Sequence, residues 1–294
     1  MIERRDIQFM SGDSRCSGWF YRAFGRAPAP CVVLAHGFGG TRAMRLDAYA
    51  ETFAEAGYHA LVFDYRHFGC SEGEPRQVLH IGRQHQDWHA AVRHARGLPG
   101  VDGNRLILWG TSFSGGHVVE VALKENGIAA VISQVPHLSG IATVIASGPA
   151  NNLRLSGAAW RDVARMVLRR SPYYVKIAGK PGELAAMTAP DAEEGVRKLY
   201  PEGYEPNELV AARIFLSVGL YSPGWKSARL TMPWLVQVAT EDLTTPMGPA
   251  VRAASKAPKC KLITYRCGHF DVYVPPLFGQ VVEDQLTFLK HALN

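Results

Sequence analysis

Short, continuously apolar runs recur along the chain, and most are followed by a segment with helical spacing. An apolar run without polar alternation is typical of a strand that is buried on both faces of a parallel sheet. The predicted buried strands are residues 31–35, 59–63, 105–109, 128–133, 233–239 and 260–265, and the predicted helices are residues 48–56, 77–98, 117–124 and 276–293. Near the N-terminus, residues 6–9 and 17–21 flank a Ser-Gly-Asp turn and predict an antiparallel hairpin.

Repeated strand and helix units with buried strands predict a mostly parallel sheet that is covered by helices on both faces. This alternation stops at about residue 137 and resumes at about residue 230. We therefore predict an α/β core domain formed by residues 1–136 and 230–294, with an inserted, mostly helical cap formed by residues 137–229. Aromatic residues are frequent in this insertion, and we expect Trp160, Tyr221 and Trp225 to line a substrate pocket.

A strand-to-turn-to-helix pattern surrounds a pair of serines in the middle of the chain. Residues 105–109 are followed by the segment GTSFSGG at 110–116, and helical spacing follows it. Such a turn lifts a hydroxyl off the end of the sheet and directs a helix N-terminus at it, and its glycines avoid collisions with neighbouring backbone. We favour Ser112 as the nucleophile, because it lies two residues after the glycine that closes the strand. Ser114 is the alternative nucleophile.

An acid and a base follow two later strands. Catalytic groups in an open parallel sheet gather at the carboxyl ends of its strands. Asp242 follows the strand at 233–239 and His269 follows the strand at 260–265, so Ser, Asp and His occur in that order at three strand ends. We predict that His269 takes the proton of the serine and that Asp242 orients the imidazole. Glu241 is the neighbouring alternative to Asp242.

The oxygen that becomes negative during acyl transfer needs preorganised hydrogen-bond donors. The backbone N–H of Phe38 lies in the glycine-rich segment after the strand at 31–35, and the N–H of Phe113 lies at a helix start. We predict that these two groups form an oxyanion hole.

Five segments in this order resemble the α/β-hydrolase superfamily, and the resemblance covers nearly the whole chain. They are HGFGG at 36–40, DYRHFGCS at 64–71, GTSFSGG at 110–116, TEDLTTP at 240–246 and GH at 268–269. The resemblance implies an eight-stranded, mainly parallel sheet, a cap after the sixth strand, and hydrolysis through an acyl-serine without a metal or another cofactor. The serine segment is similar to the variant found in the cocaine-esterase and Xaa-Pro-peptidase branch, which also supports Ser112.

Composition limits the remaining function classes. The 294 residues are 47% hydrophobic and 20% charged, as in ordinary globular domains. The formal net charge of +6 comes without Lys/Arg blocks or a nucleic-acid motif, so we expect no nucleic-acid partner. The five cysteines show no metal-ligand spacing. We recognise no secretion signal and no apolar run long enough to cross a bilayer, and we expect a cytoplasmic protein.

We therefore expect a serine hydrolase that cleaves carboxylic esters, with a small acyl ester or thioester as substrate and no cofactor. A thioesterase, a peptidase or an amidase can use the same three residues. The alternative of a different class is a non-catalytic ligand-binding protein on the same fold. The sequence leaves a monomer and a homodimer open.

One predicted helix of the insertion is amphipathic. Its apolar face is formed by Trp160, Val163, Ala164, Val167 and Leu168, and its charged face by Arg161, Arg165 and Arg169. A charged stripe of this kind is usually a solvated face. The sharper alternative is that the arginines attract anionic substrates.

Overall fold

The computed structural model describes residues 2–25 and 28–293. Residues 1, 26, 27 and 294, which the predicted core domain includes, lie outside this part of the chain. The strands are β1 (Arg4–Ser11), β2 (Ser14–Tyr21), β3 (Ala29–Ala35), β4 (His59–Phe63), β5 (Val101–Thr111), β6 (Ile128–Gln134), β7 (Tyr174–Ala178), β8 (Ala185–Met187), β9 (Leu209–Ala211), β10 (Trp234–Ala239) and β11 (Cys260–Tyr265). The α-helices are α1 (Leu46–Glu55), α2 (Ile81–Arg96), α3 (Phe113–Ala122), α4 (Gly140–Ser147), α5 (Pro149–Val167), α6 (Ala192–Arg197), α7 (Met247–Lys256) and α8 (Phe278–Leu293).

Eight strands form one sheet in the order β1-β2-β4-β3-β5-β6-β10-β11. β2 pairs antiparallel with both β1 and β4, and the remaining neighbours are parallel. β4 and β10 are buried at every position, as expected for strands with helices on both sides. The predicted fold class, an eight-stranded and mostly parallel sheet flanked by helices, is confirmed.

Helices cover both faces of this sheet. Buried side chains of α2, α3 and α7 pack on one face around Trp88, and those of α1 and α8 pack on the other face around Trp109. Among residues 2–25 and 28–293, the structure contains no helix with the length and hydrophobicity that crossing a bilayer requires.

The carboxyl ends of β3, β5, β6, β10 and β11 share one edge of the sheet, because these strands run parallel. The register places Ala35 beside Gly110, and Gly110 beside Ser133. Beyond the strand, the N–H of Ser112 still donates to the carbonyl oxygen of Gln134, at 2.9 Å. The residues that follow these strands therefore gather in one place.

Helix α2 begins four residues later than the sequence pattern predicts. Gln77 has a positive φ of 61°. Its side-chain amide donates to the carbonyl oxygens of Asn207, at 2.8 Å, and Leu209, at 2.7 Å. The His80 side chain then accepts a hydrogen bond from the N–H three residues later and caps α2. Contacts with the distant insertion thus outweigh the local helical spacing.

Residues 137–229 lie between β6 and β10 and are helical only in part. Besides α4, α5 and α6, they contain a second sheet of three strands in the order β8-β7-β9. The sequence pattern predicts no strand here: β8 and β9 are only 3 residues long and cannot show a period, and β7, with 5 residues, is the only one of the three that could show alternation. The division of the chain into a core and a cap stays a prediction.

A buried ion pair joins the turn after β4 to α2 and to the end of β1. Arg66 Nε donates to Asp87 Oδ1 at 2.7 Å, and Arg66 Nη2 donates to Ser11 Oγ at 2.6 Å. Burial raises the pKa of Asp87, although the contacts with Ser11 and Arg66 oppose this effect. Removing either member of a buried pair leaves a charge without a partner, which is costly.

We expect Arg66→Met to lower the free energy of unfolding by about 3–5 kcal/mol, because Asp87 would keep its buried carboxylate and lose the cation. Urea unfolding followed by circular dichroism measures this loss. Arg105→Met is the matched control, because Arg105 pairs with Asp102 at the surface, and exposed pairs contribute about 1 kcal/mol or less. Equal losses in the two variants would contradict the interpretation.

Candidate active site

Ser112 occupies a sharp turn between β5 and α3. Its φ of 52° and ψ of −118° lie outside the regions that residues with a side chain favour. A Cβ atom on Gly110 would collide with the carbonyl oxygen of Ser114, and one on Gly115 would lie 2.8 Å from the Cβ of Pro136. The expectation that this turn needs glycines is confirmed at both positions.

The loop after β3 approaches Ser112 from the opposite side. A Cβ atom on Gly37 would lie only 2.8 Å from the Cβ of Ser112, so this glycine permits the close approach. The next residue, Phe38, packs its ring edge-to-face on Phe113 with 5.7 Å between centroids. Phe113 is the first residue of α3, so its N–H has no acceptor within the helix. The two N–H groups predicted as donors therefore belong to segments that meet at Ser112.

A chain of hydrogen bonds connects the three residues predicted at the strand ends. Ser112 Oγ lies 3.2 Å from His269 Nε2, and His269 Nδ1 lies 2.6 Å from Asp242 Oδ2. The side chains of His269 and Asp242 are both 2% exposed. An ionised carboxylate can only accept, so Nδ1 carries the proton, and Nε2 of a neutral imidazole accepts from the serine hydroxyl. This arrangement can remove the proton of Ser112.

Asp242 is held by the residues that follow it. The N–H groups of Thr244 and Thr245 donate to Oδ1 at 2.8 and 2.6 Å, and Thr245 Oγ1 lies 2.8 Å from Oδ2. Burial alone would raise the pKa of Asp242, but the charge of a protonated His269, the hydrogen bond from His269 and the two hydrogen bonds from Thr245 lower this pKa below its ordinary value. Thr245 is not among the residues predicted from the sequence, although an Asp followed by such residues is typical of a turn that the Asp side chain caps.

The alternatives to the favoured serine and aspartate lie elsewhere. Ser114 is fully buried, and its Oγ hydrogen-bonds the hydroxyl of Tyr65 at 2.8 Å. Glu241 has an exposed side chain that pairs with Arg266 at 3.4 Å. The structure thus brings His269 to Ser112 and Asp242.

Two cavities border Ser112, and Phe38 and Met187 belong to the walls of both. The first cavity, of about 370 Å³, includes His269 in its wall. The second, of about 700 Å³, includes Phe113. Other residues of the first wall are Trp19, Arg42, Met44, Ile177, Tyr204 and Phe270. Other residues of the second wall are His137, Val144, Leu155, Phe215, Val218 and Leu243.

The aromatic residues predicted to line the pocket do not line these two cavities. Trp160 and Trp225 are 64% and 72% exposed. The hydroxyl of Tyr221 hydrogen-bonds His117 Nδ1 at 2.7 Å and His85 Nε2 at 3.1 Å. We correct the prediction accordingly: aromatic composition shows that the insertion has large side chains, but it does not show which of them reach the cavities at Ser112.

Comparisons with known proteins agree with this fold. The family described as serine aminopeptidase, S33, matches residues 26–269. The chain is 45% identical over 285 residues to the quorum-quenching protein AidA of Acinetobacter baumannii, and the match covers 97% of this chain and 94% of AidA.

Two solved structures have a fold similar to that of this chain. The α/β-hydrolase GrgF from Penicillium sp. sh18 superposes with a TM-score of 0.82 at 22% identity, and the match covers 99% of each chain. The structure of DcsB with a substrate analogue superposes with a TM-score of 0.86 at 20% identity, over 99% of this chain and 100% of DcsB. The chain therefore belongs to the serine aminopeptidase S33 family of α/β-hydrolases.

Proposed function

We propose that this protein is a serine hydrolase that cleaves carboxylic esters of small molecules through an acyl-serine intermediate. The observation that carries the proposal is the continuous hydrogen-bond chain from Ser112 through His269 to Asp242, located where two cavities meet. Binding without catalysis does not require a buried histidine that is hydrogen-bonded to a serine in a strained conformation.

In the first half of the reaction, Ser112 Oγ attacks the carbonyl carbon of the ester while its proton passes to His269 Nε2. The carbonyl oxygen becomes negative and accepts hydrogen bonds from the N–H groups of Phe38 and Phe113. The N-terminal end of α3 adds a favourable potential for this negative charge. Asp242 stays ionised and stabilises the imidazolium that forms.

In the second half, the bond between the carbonyl carbon and the leaving oxygen breaks, and this oxygen takes the proton from His269. A water molecule then attacks the acyl-serine, giving one proton to His269 and its hydroxyl to the acyl group. Return of the proton to Ser112 releases the carboxylic acid and restores the enzyme.

The positions of the base and the donors orient the substrate. His269 belongs to the wall of the first cavity, so the alcohol that it protonates leaves on that side. Phe113 belongs to the wall of the second cavity, which we assign to the acyl group. Because α4 and α5 contribute Val144 and Leu155 to this second wall, we infer that residues 137–229 act as the cap of the acyl site.

The size of the site favours a small substrate. Cavities of roughly 300–1,000 Å³ are typical of small-molecule sites, and the two cavities at Ser112 measure about 370 and 700 Å³. The relative AidA is named a quorum-quenching protein. This name supports a small signalling molecule as the substrate class, and the proposed mechanism requires that this molecule contain an ester bond.

We expect Ser112→Ala to lower the hydrolysis of p-nitrophenyl esters by at least about 10³-fold, because the variant lacks the attacking oxygen. Ser114→Ala is the matched control and should keep most of the activity, since its hydroxyl is bonded to Tyr65. Both variants are assayed for hydrolysis of p-nitrophenyl esters with acyl chains of different lengths and for labelling of the serine by a fluorophosphonate. Activity that survives in Ser112→Ala and disappears in Ser114→Ala would refute the choice of nucleophile.

We expect Asp242→Asn to lower kcat by about 10⁴-fold, because an amide no longer fixes the productive tautomer of His269. Glu241→Gln changes the neighbouring acid in the same way and should leave kcat within about twofold of wild type, as expected for an exposed residue away from the reacting atoms. Steady-state kinetics of both variants, with circular dichroism as the folding control, test the assignment. A larger loss of kcat in Glu241→Gln than in Asp242→Asn would show that Asp242 is not the acid that orients His269.

A further inference from the structure

Helix α5 exposes a line of large apolar side chains. Leu153, Trp160 and Val167 are 76%, 64% and 73% exposed and are spaced seven residues apart, so they lie on one face of the helix. The opposite face packs into the protein through Leu155 and Ala158. Solvent-facing apolar patches of this kind mark interaction sites. We call Leu153, Trp160 and Val167 the apolar stripe.

The sequence around the apolar stripe is strongly basic. Residues 137–172 contain one carboxylate, Asp162, and five arginines, which are Arg154, Arg161, Arg165, Arg169 and Arg170. Asp162 is fully buried and accepts hydrogen bonds from Arg213 Nε at 2.7 Å and Nη2 at 2.9 Å. Within the described part of the chain, none of the five arginines forms an ion pair. Arg165 donates to the carbonyl and hydroxyl oxygens of Ser171, and the guanidinium of Arg161 lies over the ring of Tyr173, so both keep their positive charge without a carboxylate partner in the described part of the chain.

We propose that α5 docks this protein on the surface of an anionic lipid bilayer. A helix with Trp and Leu on one face and arginines beside them is suited to the membrane interface, where apolar side chains enter between headgroups and arginines contact lipid phosphates. The charges argue against a second copy of this chain, since a two-fold contact through α5 would bring two sets of arginines together, and Asp162, the one carboxylate of residues 137–172, is buried.

The docking face and the second cavity share two helices. α4 and α5 place Val144, Leu155 and Ser156 in the wall of that cavity, while α5 turns the apolar stripe outwards. Docking would therefore hold the acyl site close to the lipid surface. This inference goes beyond ester hydrolysis and does not depend on it, because binding can be measured without a substrate.

The test is cosedimentation of the full-length protein with lipid vesicles. We expect binding to vesicles of phosphatidylcholine with about 30% phosphatidylglycerol, little binding to phosphatidylcholine alone, and release of the bound protein at about 1 M salt. Binding should shift the tryptophan emission to shorter wavelength in the wild type, and this shift should be smaller in Trp160→Ser.

Two sets of variants separate charge from apolar contact. Arg161, Arg165 and Arg169 changed together to Gln should weaken partitioning by roughly fivefold per arginine, or about 100-fold in total. Leu153→Ser combined with Trp160→Ser should also weaken it. Trp225→Ser is the matched control for an exposed tryptophan on another segment, and Arg93→Gln is the control for an exposed arginine. Both controls should bind as the wild type does, and circular dichroism verifies folding.

Three results would overturn the proposal. The first is the absence of binding to anionic vesicles by the folded wild type. The second is equal loss of binding in the α5 variants and in the controls. The third is a concentration-dependent dimer, seen by sedimentation velocity, that Trp160→Ser dissociates, since a second copy would then cover the apolar stripe.

Discussion

The arrangement of the candidate site depends on one constraint, the strained backbone of Ser112, which is held at a positive φ at the carboxyl edge of the sheet. Strain of this kind costs of order 1–3 kcal/mol and persists only where the surroundings enforce it. Here the N–H of Ser112 donates to Gln134 on β6, and its carbonyl oxygen accepts from the N–H of His137 at 2.8 Å. Small residues before, after and opposite the serine leave room for the turn. Hydrogen bonds to the end of β6 and to the residues that follow it thus hold Ser112 in its strained backbone conformation.

The neighbouring strand end is strained as well. Val135, which directly follows β6, has a φ of 37°, although a β-branched residue rarely adopts such a value. Its N–H donates to the carbonyl oxygen of Gln237 at 2.8 Å, and its own carbonyl oxygen lies 3.1 Å from Thr245 Oγ1. Thr245 in turn contacts Asp242. The turn after β6 therefore links the serine to the residues that orient the base.

Most of the fold could be predicted from the sequence, because long apolar strands and their helices carry periodic signals. β4 and β11 begin and end at the predicted residues, His59–Phe63 and Cys260–Tyr265. The start of α2 and the strands β7, β8 and β9 were not predicted, since contacts between segments that are distant in sequence determine them. Local periodicity carries no information about such contacts.

The candidate site likewise contains some residues that could be predicted from the sequence and others that could not. Ser112, Asp242 and His269 could be named because each directly follows a recognisable strand, and parallel strands bring their ends together. The support from Thr245 and the close approach of Gly37 depend on packing between loops. The exposed position of Trp160 could not be predicted either, because its helix is amphipathic whether the apolar face is buried or turned outwards.

The most direct test of the account is a comparison of two glycines in one loop. A Cβ on Gly37 would lie 2.8 Å from the Cβ of Ser112, whereas a Cβ on Gly40 would have no neighbour closer than 3.4 Å. If close packing on the strained serine governs the site, Gly37→Ala should lower kcat/KM for an ester by about 10²-fold and Gly40→Ala by only a few-fold. Equal effects of the two substitutions, or wild-type turnover in Gly37→Ala, would contradict the account.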